Sequence, residues 1–199
     1  MNSKIIEIQK RIEERSKTLR SDYLNKINLA SEHSQSARKN MGCSNIAHAF
    51  ASCDKAQQGD AADGADVIGI ISAYNDMLSA HAPLKDYPDV IKESSLKRNA
   101  IARVAGGVPA MCDGITQGEP GMELSLFSRD VIALSTAVGL SHNVFDAAIC
   151  LGVCDKIVPG MVIGSLSFGH LPLAFIPAGP MPTGISNSDK NEARKKFAN

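Results

Sequence analysis

Two pairs of adjacent cysteine and aspartate, Cys112–Asp113 and Cys154–Asp155, are the residues of this chain whose types and spacing most directly suggest chemistry. The second pair runs on into Lys156, is delivered by the apolar run ICLGV at 149–153, and is followed by Pro159–Gly160. A thiol, a carboxylate and an amine left buried at a strand end without partners would cost several kcal/mol. A metal centre would satisfy them. The donors divide by softness: thiolate suits an iron–sulfur cluster or zinc, carboxylate suits magnesium or manganese. In extended chain, neighbouring side chains point to opposite faces, so Cys154 and Asp155 could address two centres, or one centre across a bend. Lys156 fits beside a hard cation only as a neutral or carbamylated amine, because an ammonium would repel it. The bland readings stand beside these. A buried cysteine is commonly a small core hydrophobe, and the Asp113–Gly114 dipeptide is a common turn former.

The remaining candidates are weaker. Cys150 lies four residues before Cys154, roughly 13 Å along a strand, too far to share a small cluster, so it reads as packing. Cys43 and Cys53 fall in a segment whose pattern does not place them. His81, in LSAHAP, reads either as a hydrogen-bonded loop histidine or as a catalyst; His170, in FGHLP, precedes a strand at the other end of a sheet and reads as structural. Glu119 and Glu123 flank a glycine-rich turn and read as solvated or as capping the following helix.

The elements that must position these groups alternate. Residues 4–29 carry Ile5, Ile8, Ile12, Leu19, Tyr23 and Ile27 at helical spacings, predicting a long amphipathic helix whose apolar side covers a neighbouring subunit or domain, or its own. Residues 31–66, with QQGDAADGAD, read as loop. Strands are predicted at 66–72, 101–106, 145–153 and 171–177, and helices at 87–99, 125–142 with Ser125 as N-cap, and 159–169 with Pro159 in the first turn. A last capped helix starts near Ser188 or Asp189. Continuous apolar strands alternating with helices indicate an α/β fold, a parallel sheet with helices on both faces preceded by a long N-terminal helix. The division expected is 1–65 as helix and loop and 66–199 as the α/β cluster- and metal-binding domain. In such sheets ligands bind beyond the carboxyl ends of the strands. SAYNDMLSAHAP, CDGITQGEPG and CDKIVPG each fall at such an end.

Composition narrows the partners. Lys+Arg and Asp+Glu balance at 21 each, so no net charge argues for nucleic acid or an anionic membrane. No stretch approaches the roughly 20 apolar residues that span a bilayer. The charged N-terminus lacks a secretory h-region, so the five cysteines are expected to be free or metal-bound in a reducing compartment, with the cytoplasm the default.

GGVPAMCDGITQGEPGMELSLFSRDVIA, ICLGVCDKIVPGM and GPMPTG together resemble the dihydroxy-acid and 6-phosphogluconate dehydratase family over about residues 66–184. SAYNDMLSAHAPL and ERSKTLRSDYL look most like its 6-phosphogluconate branch. The resemblance implies an N-terminal α/β portion of a longer hydro-lyase whose β-rich C-terminal domain is absent here. It implies Cys154 as an iron–sulfur ligand, and Asp113, Asp155 and a carbamylated Lys156 as magnesium ligands. Relatives with a [2Fe–2S] cluster carry cysteine just before the residue matching His81; Ala80 stands there in this chain, favouring a [4Fe–4S] cluster with Cys112 as a substitute ligand. The implied reaction converts 6-phosphogluconate to 2-dehydro-3-deoxy-6-phosphogluconate in the Entner–Doudoroff route, with Lys156 and His81 as catalytic candidates and a homodimer as the assembly. Competing expectations are a dehydratase for a branched dihydroxy acid or unphosphorylated sugar acid, a non-enzymatic metal- or nucleotide-binding α/β domain, and a truncated domain inactive without its other half.

Overall fold

A computed structural model describes the backbone of residues 2–62, 64–179 and 185–198, and their side chains except 33–39 and 62. Four strands form one parallel sheet: β1 (Asp66–Ser72), β2 (Ala100–Gly107), β3 (Ala147–Leu151) and β4 (Leu173–Ile176), in the order β2-β1-β3-β4. β1 is central and the most buried, because Val67, Ile70 and Ile71 have no exposed surface. Each such side chain contributes about 1.5–3 kcal/mol by leaving water.

Ile70 and Ile71 point to opposite faces, and each face has its own core. Ile71 packs with Ile132, Leu140, Cys150, Ile157 and Met161 under α6 (Leu124–Leu140) and α7 (Ile157–Leu166). Ile70 packs with Leu84, Ala102 and Leu151, against Tyr87 and Ile91 of α4 (Tyr87–Leu96). Helices α6 and α7 approach closely because Gly160 faces Arg129 and Ile132 while Gly164 faces Ala133 and Thr136, where a Cβ would collide. The α/β expectation with both faces covered is met.

Several boundaries shift for physical reasons. The first helix, α1, runs over Ser3–Asn40. Its Tyr23 hydroxyl donates to the Leu166 carbonyl at 2.9 Å and its Ile27 packs on Gly169. Ile5, Ile8, Ile12 and Leu19 of the same stripe are exposed.

The loop expected over 31–66 is instead largely helical: α1 continues to Asn40, followed by α2 (Cys43–Phe50) and α3 (Lys55–Ala62). Phe50 anchors α2 in a small core with Val67 and Phe145, and the Asp54 carboxylate accepts from the Gln57 N–H at 2.9 Å at the start of α3. Tertiary burial and a cap outweigh the Gly and Asp content that suggested loop.

Two N-caps were misplaced. Ser125 lies inside α6, after Glu123 at the N-cap position, and α8 (Asn187–Phe197) is capped by Ser186, whose hydroxyl accepts from the Asp189 N–H at 3.2 Å. The glycine-rich loop contains a one-turn helix, α5 (Asp113–Thr116), and a 3₁₀ turn over Pro120–Glu123. β3 stops at Leu151 rather than 153, so Cys154 is not in extended chain. GPMPTG lies almost wholly outside the described residues, in 180–184.

Candidate active site

Strand order reverses at β1: the chain steps to β2 on one side, then to β3 and β4 on the other. Such a switch point opens a crevice at the carboxyl ends of the strands. The three ends are tied together, since the Val108 N–H donates to the Ser72 carbonyl at 3.0 Å and the Ala73 N–H to the Leu151 carbonyl at 2.8 Å. Cys112–Asp113, Cys154–Asp155 and His81 lie on the loops that leave these ends.

The centre of the site is Lys156, at the N-cap of α7. Its side chain is 2% exposed, and its ammonium donates to Asp113 Oδ1 and, at 2.9 Å, to Ser125 Oγ. The Ser125 hydroxyl in turn donates to Asp113 Oδ1 at 2.7 Å. Three elements therefore converge on one carboxylate: Asp113 opens α5, Ser125 sits in the first turn of α6, and Lys156 begins α7. The hydrogen bonds from Lys156 and then Ser125 hold the Asp113 carboxyl below the usual carboxylate range. Its side chain keeps 39% exposure, so one edge of the carboxylate remains open.

Cys154 is exposed, on the turn between β3 and Lys156, at φ +87°. That is left-handed backbone, which residues with a Cβ rarely adopt. Burial is the first cause pushing its thiol up; the negative charge of Asp155 adds to it, Lys156 opposes it, and Cys112 and Asp113 contribute further. Cys112, Asp113, Cys154, Asp155 and Lys156 thus share one electrostatic neighbourhood. Cys112 is half-buried in relaxed extended backbone, φ −89° and ψ 111°, and Asp155 is exposed. The expectation that Cys154 and Asp155 point apart because the chain is extended does not apply; a turn separates them from the strand.

His81 makes a hydrogen bond within the site's loops. Its ring has no exposed surface, and Nε2 lies 2.9 Å from the Val153 carbonyl. Burial lowers its basicity, and the charge on Lys156 acts in the same direction against the Val153 bond. Nδ1 is buried with no partner. Cys150 lies in the core near Ser165, and His170 stands at the amino end of β4 beside Phe168, both away from the site as expected. Glu119 and Glu123 are solvent-exposed, and the Glu123 side chain forms no cap hydrogen bond. Cys43 and Cys53 belong to the α2 region.

The residue that sequence reasoning missed is Ser125. Its signal was a hydroxyl within the first turn of a helix whose neighbours are apolar, which capping explained too easily. Among the described residues, no three His, Cys, Asp or Glu side chains converge tightly enough to hold a metal ion alone.

Residues 66–199 match the family model for the N-terminal region of the dihydroxy-acid/6-phosphogluconate dehydratases. The chain belongs to that family. It is 56% identical to the phosphogluconate dehydratase of Rhizobium meliloti over 198 residues, 99% of this chain and 32% of that protein. It is 58% identical to the phosphogluconate dehydratase of Helicobacter pylori over 193 residues, 96% of this chain and 31% of the relative. Similarity to the dihydroxy-acid dehydratase of Akkermansia muciniphila is lower, 40% over 119 residues, covering 60% of this chain and 21% of that protein. The chain thus spans about a third of the length of the phosphogluconate dehydratases it matches. The matched region holds Cys112–Asp113, Cys154–Asp155, Lys156, Ser125 and His81.

Proposed function

We propose that this chain supplies the metal-binding α/β part of a hydro-lyase that removes water from 6-phospho-D-gluconate, giving 2-dehydro-3-deoxy-6-phospho-D-gluconate. The observation that carries this reading is identity of 56–58% to phosphogluconate dehydratases across nearly all of this chain, against 40% over 60% of it for a dihydroxy-acid dehydratase. The geometry supports it because thiols and carboxylates collect at the switch point of the sheet.

The reaction breaks the C2–H and C3–OH bonds; the resulting enol takes a proton at C3 and becomes the 2-keto acid. Hydroxide is a poor leaving group and the C2 proton is weakly acidic, so both need electrophilic help. By softness the donor types divide between two kinds of cation, thiolate for an iron–sulfur cluster and carboxylate for Mg2+. The two carboxylates, Asp113 and Asp155, outnumber the one ammonium of Lys156, leaving the site net negative, and the thiols become anionic only when a metal displaces their protons. We assign Cys154, with Cys112, to an iron–sulfur cluster, [4Fe–4S] in view of Ala80, and Asp113, Asp155 and Lys156 to Mg2+. Bound there, these groups would supply Lewis acidity at the departing hydroxyl and the developing enolate.

The protein's own contribution is orientation. Ser125 and Lys156 hold one oxygen of Asp113 in a fixed direction while its other edge stays open. Lys156, as a carbamate, would present oxygens from the same buried stem. Short helix α5 and helix α7 both begin at the site, so Asp113 and Lys156 reach it from separate elements.

The partner proposed is therefore a small anionic substrate, not nucleic acid, and no helix among the described residues is long and apolar enough to cross a membrane. The exposed Ile5, Ile8 and Ile12 of α1 support a homodimer, and five unpaired cysteines suit the reducing cytoplasm.

The test uses intact protein purified anaerobically, wild type beside Cys154→Ser. Iron and sulfide per chain are measured with 2-keto-acid formation from 6-phosphogluconate, gluconate and a branched dihydroxy acid. Bound iron with turnover of the 6-phosphate, both lost in the variant, is the expected result. Equal turnover of gluconate moves the substrate to an unphosphorylated sugar acid, and preference for the branched acid moves it to the dihydroxy-acid branch. Zinc in place of iron, with no turnover, would leave a binding domain.

A further inference from the structure

We infer that His81 is a positioning residue, one of two grips that hold the Cys154 turn in its left-handed conformation and so present the thiol. A carbonyl oxygen only accepts, so the 2.9 Å contact to Val153 requires the proton on Nε2. That fixes the tautomer and leaves Nδ1 a bare acceptor, buried and without a partner. With no exposed surface, the ring reaches no substrate and carries no proton to one. What it touches is the carbonyl immediately before Cys154.

Backbone at φ +87° on a residue with a Cβ relaxes unless its surroundings over-determine it. The surroundings here grip both sides. Before Cys154, the Gly152 N–H donates to the Ile176 carbonyl at 3.3 Å and His81 holds the Val153 carbonyl. After it, Lys156 is locked to Asp113 and Ser125. Asp155 lies between the grips and is free to face solvent or a ligand. Removing either grip lets the turn swing, and the thiol with it. The catalytic consequence rests on Cys154 being a cluster ligand, as proposed above; the clamp itself does not.

The test compares wild type, His81→Leu and His81→Gln in the intact, metal-free protein by hydrogen exchange. A glutamine amide N–H can replace Nε2–H as donor to Val153, whereas leucine cannot. The reporters are the Gly152 amide and the Val158 amide, which donates to the Cys154 carbonyl at 3.3 Å. Both should exchange about tenfold faster in His81→Leu, with β1 amides unchanged, and return towards wild-type rates in His81→Gln. Unchanged reporters in His81→Leu, equal acceleration throughout β1 and β3, or no rescue by glutamine would overturn the clamp. Iron retained after anaerobic reconstitution is then compared: loss in leucine and recovery in glutamine connects the clamp to the cluster. A wild type that binds no iron removes the cluster reading, and the exchange result still decides the role of His81.

Discussion

The same dipeptide follows the two strands that flank β1 and is used in opposite ways. At Cys112–Asp113 the backbone is relaxed, the cysteine is half-buried, and the aspartate starts a helix with its carboxylate bonded by Lys156 and Ser125. At Cys154–Asp155 the cysteine is exposed and left-handed and the aspartate faces outward. One pair fixes its carboxylate; the other fixes its thiol by holding the backbone around it. Composition cannot distinguish them, because the difference lies in what the following helix brings. Helix α6 brings a hydroxyl to the first pair, and the approach to α7 brings a buried amine that bonds the first pair rather than its own sequence neighbour.

The largest effect should come from the thiols. Cys154→Ser in the intact protein is expected to abolish bound iron and lower 2-keto-acid formation by about a thousandfold or more, the scale expected when an essential catalytic group is lost. Cys112→Ser, at the relaxed pair, should cost less iron. Equal loss in both would make the two cysteines equivalent ligands and break the contrast.

The carboxylates sharpen it further. Asp113→Asn removes the counter-charge of a buried lysine and should destabilise the metal-free protein by about 1–3 kcal/mol in urea titrations. Asp155→Asn, exposed, should change stability by less than about 0.5 kcal/mol. The Asp113 carboxyl is held low in the folded state, so its stabilising contribution is present above its unfolded value of about 3.9 and is lost as pH falls through the folded value. The acid limb of stability against pH should therefore be shallower in Asp113→Asn. An unaltered limb would show that Lys156 and Ser125 do not hold that carboxylate in solution.

A smaller effect of opposite sign is expected from glycine. Cys154→Gly relieves left-handed strain and should stabilise the metal-free fold by about 1 kcal/mol, whereas Cys112→Gly only loosens the chain and should destabilise it by about 0.5–1 kcal/mol. Two destabilising results would remove the backbone difference on which the comparison stands.

Smallest is the pH response of His170, whose basicity burial lowers. The unfolded ring takes up a proton near pH 6.5 and the folded one resists, so stability from this residue is present above about 6.5 and declines below it. His170→Gln should flatten the decline between about pH 6.5 and 5 without touching the site at the other end of the sheet.

Chain order and periodicity determined a great deal. Four apolar runs of strand length, separated by helices, sufficed for the parallel α/β sheet, because a strand buried on both faces must be apolar throughout. The rule that ligands sit beyond strand ends then selected the Cys112–Asp113, Cys154–Asp155 and His81 loops. Only the tertiary structure decided that Lys156 turns away from Asp155 to bond Asp113 and Ser125, that Ser125 is a partner rather than a cap, and that His81 lies beneath the cysteine turn. It also made helices of 43–50 and 55–62, whose local composition favours loop. The first three share one reason, and the burial of Phe50 against Val67 and Phe145 extends it to the helix at 43–50. Period and composition report how each residue meets water, whereas a hydrogen bond between residues 31 or 72 positions apart depends on how separate elements dock. That docking is set by sheet order and by the glycine contacts between α6 and α7, which no local pattern encodes.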